Sequence, residues 1–216
     1  LIPLFKKTSA TLKTIISSGG ISGTFFGNKF NFGKTSTDEN SVWNDENINT
    51  VVIATRHNLH SEQIIKGLNK NMNVFVEKPL ALNHKSIDSI VDAFGKSKSK
   101  LMVGYNRRFA PHIIKIKELI EKKEIPKTFI MTMNAGYIPS NHWVHDEKIG
   151  GGRVIGEACH YIDLMRFLAG SKIKSFSANK IGKNISGVIT EDTCSISLSF
   201  EDGSMGTIHY FANGGN

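Results

Sequence analysis

Cysteine is scarce in this sequence, with two residues, Cys159 and Cys194, in a chain of 216. They do not form the closely spaced pair that is typical of a metal site. Two thiols fit a reduced protein, so we expect a cytoplasmic location.

Long apolar runs are also absent, and no stretch approaches the length of a membrane span. The apolar start, Leu1 to Phe5, is short and is followed by lysines, unlike a signal peptide. The net charge is +8, from 27 Lys and Arg against 19 Asp and Glu, yet the basic residues are dispersed and match no nucleic-acid motif. We therefore expect no membrane and no nucleic-acid partner, and we interpret the charge as a solvated basic surface.

The remaining composition, 39% hydrophobic and 21% charged, is that of a globular protein. In the first half, apolar segments such as Thr50 to Ala54 and Asn73 to Val76 alternate with helical patterns. This alternation predicts a parallel sheet, and the continuous run at Thr50 predicts a strand buried on both faces. After Gly104 the pattern changes to α+β with antiparallel pairs. The expected fold class is α/β, a Rossmann-type parallel sheet followed by an α+β domain with a mostly antiparallel open sheet.

The motif Glu77-Lys78-Pro79 directly follows a short apolar strand. Ligands of doubly wound sheets bind at the carboxyl ends of the strands. A lysine there can hold and polarise a substrate hydroxyl, and the proline can fix the turn that aims it, with a cis bond as one means. The alternative for the motif alone is a surface turn with solvated Glu and Lys side chains.

Two further segments follow strands of the predicted sheet. Ala54 to His60 offers short polar side chains and free amides for the ribose and phosphates of a cofactor, although a helix-capping loop is equally compatible. Gly104 to Phe109 contains Arg107 and Arg108, which are either solvated or in contact with phosphate or carboxylate.

A triple glycine, Gly150 to Gly152, lets the backbone approach a ligand or make an unusual turn. It precedes a helix that we predict over Glu157 to Leu168. On that helix Glu157, His160 and Tyr161 have the spacing i, i+3 and i+4, which makes them near neighbours on one face.

The loop Asn141 to His145, before the triple glycine, is interpreted as a substrate loop. Its Trp143 either stacks on a sugar ring or is simply buried. His142 and His145 have no third ligand at convincing spacing, so we expect no metal site.

Taken in order, these segments resemble the Gfo/Idh/MocA family of sugar and cyclitol oxidoreductases, the relatives of glucose–fructose oxidoreductase and inositol dehydrogenase. The matching stretches are Ala54-Thr55 with Asn58-Leu59-His60, Glu77-Lys78-Pro79-Leu80, Gly104 to Phe109, and Gly150 to Gly152 with His160 to Asp163. The resemblance covers essentially the whole chain. It implies a Rossmann domain that binds NAD or NADP, over residues 1–107, and a substrate-binding and oligomerisation domain, over residues 108–216. A homo-oligomer formed through the C-terminal sheet is implied with it.

The resemblance also implies roles for individual residues. Lys78 matches the family's active-site lysine and His160 its catalytic histidine. A histidine suits general acid/base catalysis because its pKa lies near neutrality, and Lys78 would then orient the hydroxyl and stabilise developing alkoxide. The reverse assignment is open if burial lowers the pKa of the lysine. Thr55, Asn58, His60 and Glu77 fall in the cofactor-binding segments, and Trp143, Glu157 and Asn106 are assigned to the substrate.

The sequence departs from the family pattern at two places. The family often has Asp four residues before the catalytic histidine, where this chain has Gly156. Glu157 next to it can supply a carboxylate, but one residue along a helix is a rotation of about 100°.

The glycine-rich dinucleotide fingerprint is missing as well, and the chain starts inside what would be the first helix. We expect this sequence to be an internal piece of a longer protein that lacks the first strand, the phosphate loop and the end of the C-terminal sheet, and to bind cofactor weakly. Ser17-Ser18-Gly19 provides neither an acid for a ribose nor an arginine for a 2′-phosphate, so NAD and NADP both stay open.

The sequence thus predicts an NAD(P)-dependent dehydrogenase that transfers hydride to or from a secondary hydroxyl of a sugar, nucleotide sugar or cyclitol. The alternative is a regulatory protein of the same fold that binds dinucleotide or sugar without turnover. Lys78 and His160 favour the enzyme, whereas Gly156 gives the regulatory hypothesis some weight.

Overall fold

The computed structural model describes residues 1–122, 125–182 and 192–214. In the first part of the chain short strands alternate with helices. Its elements are α1 (Ile2–Phe5), β1 (Thr14–Ile16), α2 (Ile21–Phe30), β2 (Lys34–Ser36), α3 (Asn40–Trp43), β3 (Thr50–Ile53), α4 (His60–Asn69), β4 (Asn73–Val76), α5 (His84–Lys96) and β5 (Leu101–Val103). The second part contains α6 (Pro111–Glu121), β6 (Thr128–Asn134), α7 (Cys159–Ala169), β7 (Ile173–Lys180), β8 (Cys194–Phe200) and β9 (Met205–Phe211).

The strands of the first part are parallel, as predicted, but they lie in two sheets. One sheet pairs β1 with β2, and the other has the order β3-β4-β5. In the doubly wound order the first strand runs between the second and the fourth. The break between the two sheets therefore falls where the sequence analysis expected a strand to be missing.

The prediction that β3 is buried on both faces is wrong. Val51 and Ile53 are buried among residues of α4 and α5, whereas Val52, on the opposite face, is 42% exposed. Phe75 lies beside Val52 in the register and is half-buried, with the ring of Phe5 from the short helix α1 at 6.1 Å. An apolar run shows that both faces tolerate apolar side chains, but the second face of β3 is left partly exposed here.

The second part is built on a sheet of order β6-β9-β8-β7, in which β6 and β9 are parallel and the other pairs are antiparallel. One face packs against α7, with Met165, Ile208 and Tyr210 at the centre of the buried cluster. The opposite face leaves Ile130 exposed. This mostly antiparallel sheet confirms the predicted fold class.

Membrane-crossing helices are not found in the described ranges, since every helix there is too short or too polar to span a bilayer.

Candidate active site

Lys78 emerges where β4 ends, as the sequence pattern predicted. Strand pairing continues just past the strand ends, because the Glu77 N–H donates to the Ile53 carbonyl at 2.9 Å and the Gly104 N–H donates to the Val76 carbonyl at 2.7 Å. The Lys78–Pro79 peptide is cis. The ammonium Nζ of Lys78 donates a hydrogen bond of 2.7 Å to the carbonyl of Gly156. The end of the parallel sheet is thereby joined to the segment that precedes α7.

Of the two roles that the sequence left open for the triple glycine, approach to a ligand or an unusual turn, the structure shows the turn. Gly151 and Gly152 have φ angles of +72° and +81°, which side-chain-bearing residues rarely adopt. A Cβ at Gly150 would overlap the backbone of Val144. The close backbone approach is therefore to the preceding loop, and all three positions require glycine.

The helix that carries His160 begins later than predicted. A π turn spans Val154–Ala158, and the α-helix begins at Cys159 rather than at Glu157. A π turn takes up an extra residue, so the i, i+3 spacing across it no longer defines one helix face. Glu157 instead accepts a hydrogen bond of 2.8 Å from the Tyr210 hydroxyl on β9, and the same oxygen lies 3.8 Å from Nη2 of Arg153.

His160 is buried, with 7% of its surface exposed. Its Nδ1 has no hydrogen-bond partner within the described part of the chain. Burial lowers the pKa of His160 to about 4, and the cations Lys78 and Arg107 add to this effect while Glu157 and Asp163 oppose it. The imidazole is thus neutral at neutral pH and able to accept a proton. A buried polar atom without a partner is costly, and a ligand is one explanation for it.

His57 is a residue of this site that the sequence analysis missed. Its Nδ1 lies 2.8 Å from the Gly150 carbonyl, and its ring lies edge-on to Trp143 with the centroids 4.9 Å apart. Burial is the main cause that lowers the pKa of His57, with the charge of Lys78 among the further contributors. The local sequence does not show that His57 and His60 have different partners, because the partner of His57 lies 93 positions away.

The three predicted substrate residues have different surroundings. Trp143 is half-buried between the His57 ring and the Arg56 guanidinium, which is 5.7 Å from the ring centroid. Glu157 is 41% exposed while one oxygen contacts Tyr210. Asn106 is exposed at the start of a 3₁₀ turn that follows β5.

For the two arginines of the same turn the sequence left two roles open, exposure to solvent and contact with phosphate or carboxylate. The structure shows one arginine in each role. Arg108 pairs with the Asp163 carboxylate through Nε, at 2.6 Å, and through Nη2. The guanidinium of Arg107 lies over the Tyr161 ring, 4.7 Å from its centroid, while its side chain stays exposed. Arg108 therefore anchors the turn to α7, and Arg107 contributes positive charge near His160.

Three of the four predicted cofactor residues are accessible at the strand ends. Thr55 and Asn58 are exposed, and Glu77 is half-buried. A Cβ at Gly104 would stand 3.1 Å from Oε2 of Glu77, so the absence of a side chain there keeps room for this carboxylate. Hydroxyl, amide and carboxylate groups on one open edge fit the ribose and nicotinamide end of a dinucleotide.

His60 does not fit the cofactor role that was predicted for it. It is fully buried, with Nδ1 2.7 Å from the Pro79 carbonyl and Nε2 3.1 Å from the Thr55 carbonyl. Because both ring nitrogens face backbone oxygens, neither is available to a ligand. The side chain instead ties the turn at Pro79 to the end of β3.

No group of three or more His, Cys, Asp or Glu side chains that could hold a metal ion occurs in residues 1–122, 125–182 and 192–214. His142 and His145 have separate backbone partners. Nδ1 of His142 accepts from the Val144 N–H at 3.3 Å, and Nε2 of His145 lies 3.3 Å from the Ile138 carbonyl.

Two family descriptions match successive parts of the chain. Residues 2–105 match the oxidoreductase family with an NAD-binding Rossmann fold, and residues 113–215 match the GFO/IDH/MocA C-terminal domain.

Inositol dehydrogenases are among the similar proteins. Myo-inositol 2-dehydrogenase of Thermotoga maritima is 27% identical over 178 residues, which is 81% of this chain and 53% of that protein. Inositol 2-dehydrogenase of Rhizobium meliloti is 30% identical over 164 residues, 74% of this chain and 49% of that protein. The chain spans about half the length of the curated relatives it matches.

Solved structures share the fold. Levoglucosan dehydrogenase in complex with NADH and levoglucosan superimposes with a TM-score of 0.83 at 23% identity, over 99% of this chain and 62% of that one. Aldose-aldose oxidoreductase of Caulobacter crescentus gives a TM-score of 0.85 at 19% identity, over 97% of this chain and 65% of that one.

Proposed function

The chain belongs to the Gfo/Idh/MocA family of oxidoreductases, and from this premise we propose that it transfers hydride between a nicotinamide cofactor and a secondary hydroxyl of a sugar, nucleotide sugar or cyclitol. One observation carries the proposal. The Lys78 ammonium is held by the Gly156 carbonyl and is close enough to the buried His160 ring to lower its pKa, and Nδ1 of His160 is unpaired among the described residues.

His160 acts as the proton acceptor for the substrate hydroxyl. Its neutral imidazole has a free lone pair, and an unpaired buried nitrogen gains a partner when the hydroxyl binds. In the reverse reaction the same ring returns the proton to the carbonyl oxygen.

Lys78 orients the hydroxyl and stabilises negative charge on its oxygen. An ammonium has three N–H donors, and the Gly156 carbonyl takes one of them. Within residues 1–122, 125–182 and 192–214 Nζ has no other partner, so two donors are left for the substrate. Because Nζ donates to a carbonyl, we assign Lys78 the role of the cation and His160 that of the base.

The cofactor is proposed to be NAD, held at its ribose and nicotinamide end by Thr55, Asn58 and Glu77. The NAD-binding description of residues 2–105 supports this choice. When bound, the nicotinamide supplies the hydride chemistry, and the protein supplies orientation and proton transfer.

The substrate is proposed to be a polyhydroxylated ring compound, in line with the inositol and levoglucosan dehydrogenases among the similar proteins. Trp143 offers an aromatic face to such a ring, and Asn106 offers an exposed amide. Glu157 is anchored by Tyr210 yet partly exposed, so its carboxylate can accept a hydrogen bond from a ring hydroxyl.

The larger organisation is proposed as a dinucleotide-binding domain over residues 1–107 and a substrate domain over residues 108–216. Two buried clusters without a shared residue support this division. We also propose a homo-oligomer that covers the exposed face of the C-terminal sheet at Ile130. A cytoplasmic location is proposed from the two free thiols.

The test is turnover by protein expressed from the complete gene. NADH formation from NAD is followed with inositols, levoglucosan and other sugars, for wild type, Lys78→Met and the matched control Lys85→Met, an exposed lysine of α5. We expect turnover of at least one compound and a loss of about 10²–10³-fold in kcat/KM for Lys78→Met alone. Calorimetric binding of NADH or a sugar without any turnover would instead establish the regulatory alternative.

A further inference from the structure

We propose that His57 is a positioning residue of the reaction site, which holds the Gly150–Gly156 segment so that the Gly156 carbonyl fixes the Lys78 ammonium. The inference rests on the proposed function, because it assigns how Lys78 is held for the reaction. The support comes from three sets of contacts around the His57 ring.

The first contact is a hydrogen bond between the two halves of the chain. Because a carbonyl only accepts, Nδ1 of His57 carries the hydrogen and donates to Gly150 at 2.8 Å. The adjacent Asn58 N–H donates to the Ile149 carbonyl at 3.1 Å. The loop after β3 thus holds the start of the glycine turn at two neighbouring carbonyls.

The second contact is packing against Gly156. A Cβ at that position would lie 2.9 Å from Cε1 of His57, closer than real Cβ contacts come. The ring therefore occupies the space that any side chain at residue 156 would need. The carbonyl of the same Gly156 accepts the hydrogen bond of 2.7 Å from Lys78. The contacts run without a gap from the His57 ring through Gly156 to Nζ of Lys78.

The third feature is that the ring is held in a neutral state. Trp143 packs edge-on against it, and burial, together with the charges of His60 and Lys78, lowers the pKa of His57. A neutral ring fills the space near Lys78 without repelling the ammonium. His57 therefore combines a donor, a defined shape and no charge, which an alanine would not supply.

The experiment compares His57→Ala, His57→Asn and Gly156→Ala, and the double variant His57→Asn/Gly156→Ala, in protein expressed from the complete gene. Asparagine keeps a donor near the position of Nδ1 but removes Cε1. We expect His57→Ala to lower kcat about 10–100-fold with the KM for NAD nearly unchanged, because a misplaced catalytic group affects the chemical step. His57→Asn should restore most of kcat.

The Gly156→Ala change tests the shared space directly. In the wild-type background it should lower kcat and reduce the melting temperature by about 5 °C, since the new Cβ meets Cε1. In the His57→Asn background the same change should have little effect on either quantity. This non-additivity separates a positioning contact from two independent structural losses.

The exposed His84 provides the control, and His84→Ala should behave like wild type. Equal kcat for His57→Ala and His84→Ala, or an equal penalty for Gly156→Ala in both backgrounds, would overturn the inference alone. A wild-type protein that turns over none of the compounds would overturn the proposed function, and the positioning role with it.

Discussion

The region around His60 and the region around His160 both bury a histidine, yet they differ in the hydrogen-bond partners that they offer to the ring nitrogens. His60 is fully buried and His160 is 7% exposed. Both nitrogens of His60 face backbone carbonyls, whereas Nδ1 of His160 has no partner in the described residues. Burial alone therefore does not separate the two histidines, whereas their hydrogen-bond partners differ, and we propose a structural role for the first and proton transfer for the second.

The two regions are also connected in space. The His60 ring links the end of β3 at Thr55 to the turn at Pro79, and Lys78 lies in that turn. Lys78 in turn reaches the Gly156 carbonyl, just before the helix of His160. His60 therefore stabilises the turn that carries Lys78, and Lys78 contacts the segment that precedes His160.

Replacing His160 should give the largest effect and should separate activity from stability. For His160→Gln we expect kcat/KM to fall about 10²–10⁴-fold, the usual contribution of a general acid/base. Unfolding stability should change little, because no hydrogen bond of Nδ1 is lost. Urea unfolding and NADH formation measure the two quantities, with the exposed His112→Gln as control. Full activity of His160→Gln would show that His160 is not the proton acceptor, so that neither histidine has a role in the reaction.

Replacing His60 should have the opposite profile. His60→Ala removes the ring that contacts the Thr55 and Pro79 carbonyls, so the carbonyl that accepts its N–H loses a donor and a cavity opens, and we expect a loss of about 3 kcal/mol in the free energy of unfolding. His60→Gln, which keeps one donor, should lose less and remain folded for assay. If His60→Gln is as stable as wild type but has lost cofactor affinity, the cofactor role predicted from sequence is right and the structural one is wrong.

The sequence was sufficient for the parts of the site that depend on local pattern. An apolar segment followed by Glu-Lys-Pro placed Lys78 at a strand end, and the structure has β4 at Asn73–Val76. The triple glycine indicated a turn that only glycine allows, and Gly151 and Gly152 do have positive φ angles. Both features are set by residues within a few positions of each other.

Contacts between residues that are distant in the sequence could not be predicted from local patterns. Glu157 contacts Tyr210, 53 positions later, because a π turn changes the direction of its side chain. Similarly, His57 and His60 stand three residues apart, His57 before α4 and His60 at its start, and only their partners reveal that one faces Gly150 and the other Pro79. A period of 3.6 assumes a regular helix, and it fails where the helix is irregular.

The pH dependence of stability should give the smallest effect and tests His160 without any substrate. Burial, Lys78 and Arg107 lower the pKa of His160 to about 4, against the opposing charges of Glu157 and Asp163. Since the unfolded chain binds a proton near pH 6.5 and the folded one only near 4, stability should fall as the pH falls between these values. From about pH 6.5 to 5 this amounts to about 1.5 kcal/mol for His160. Urea unfolding at several pH values should therefore show a steeper acid loss for wild type than for His160→Gln. Identical slopes would mean that His160 keeps an ordinary pKa in the folded protein, so that its burial has no electrostatic consequence.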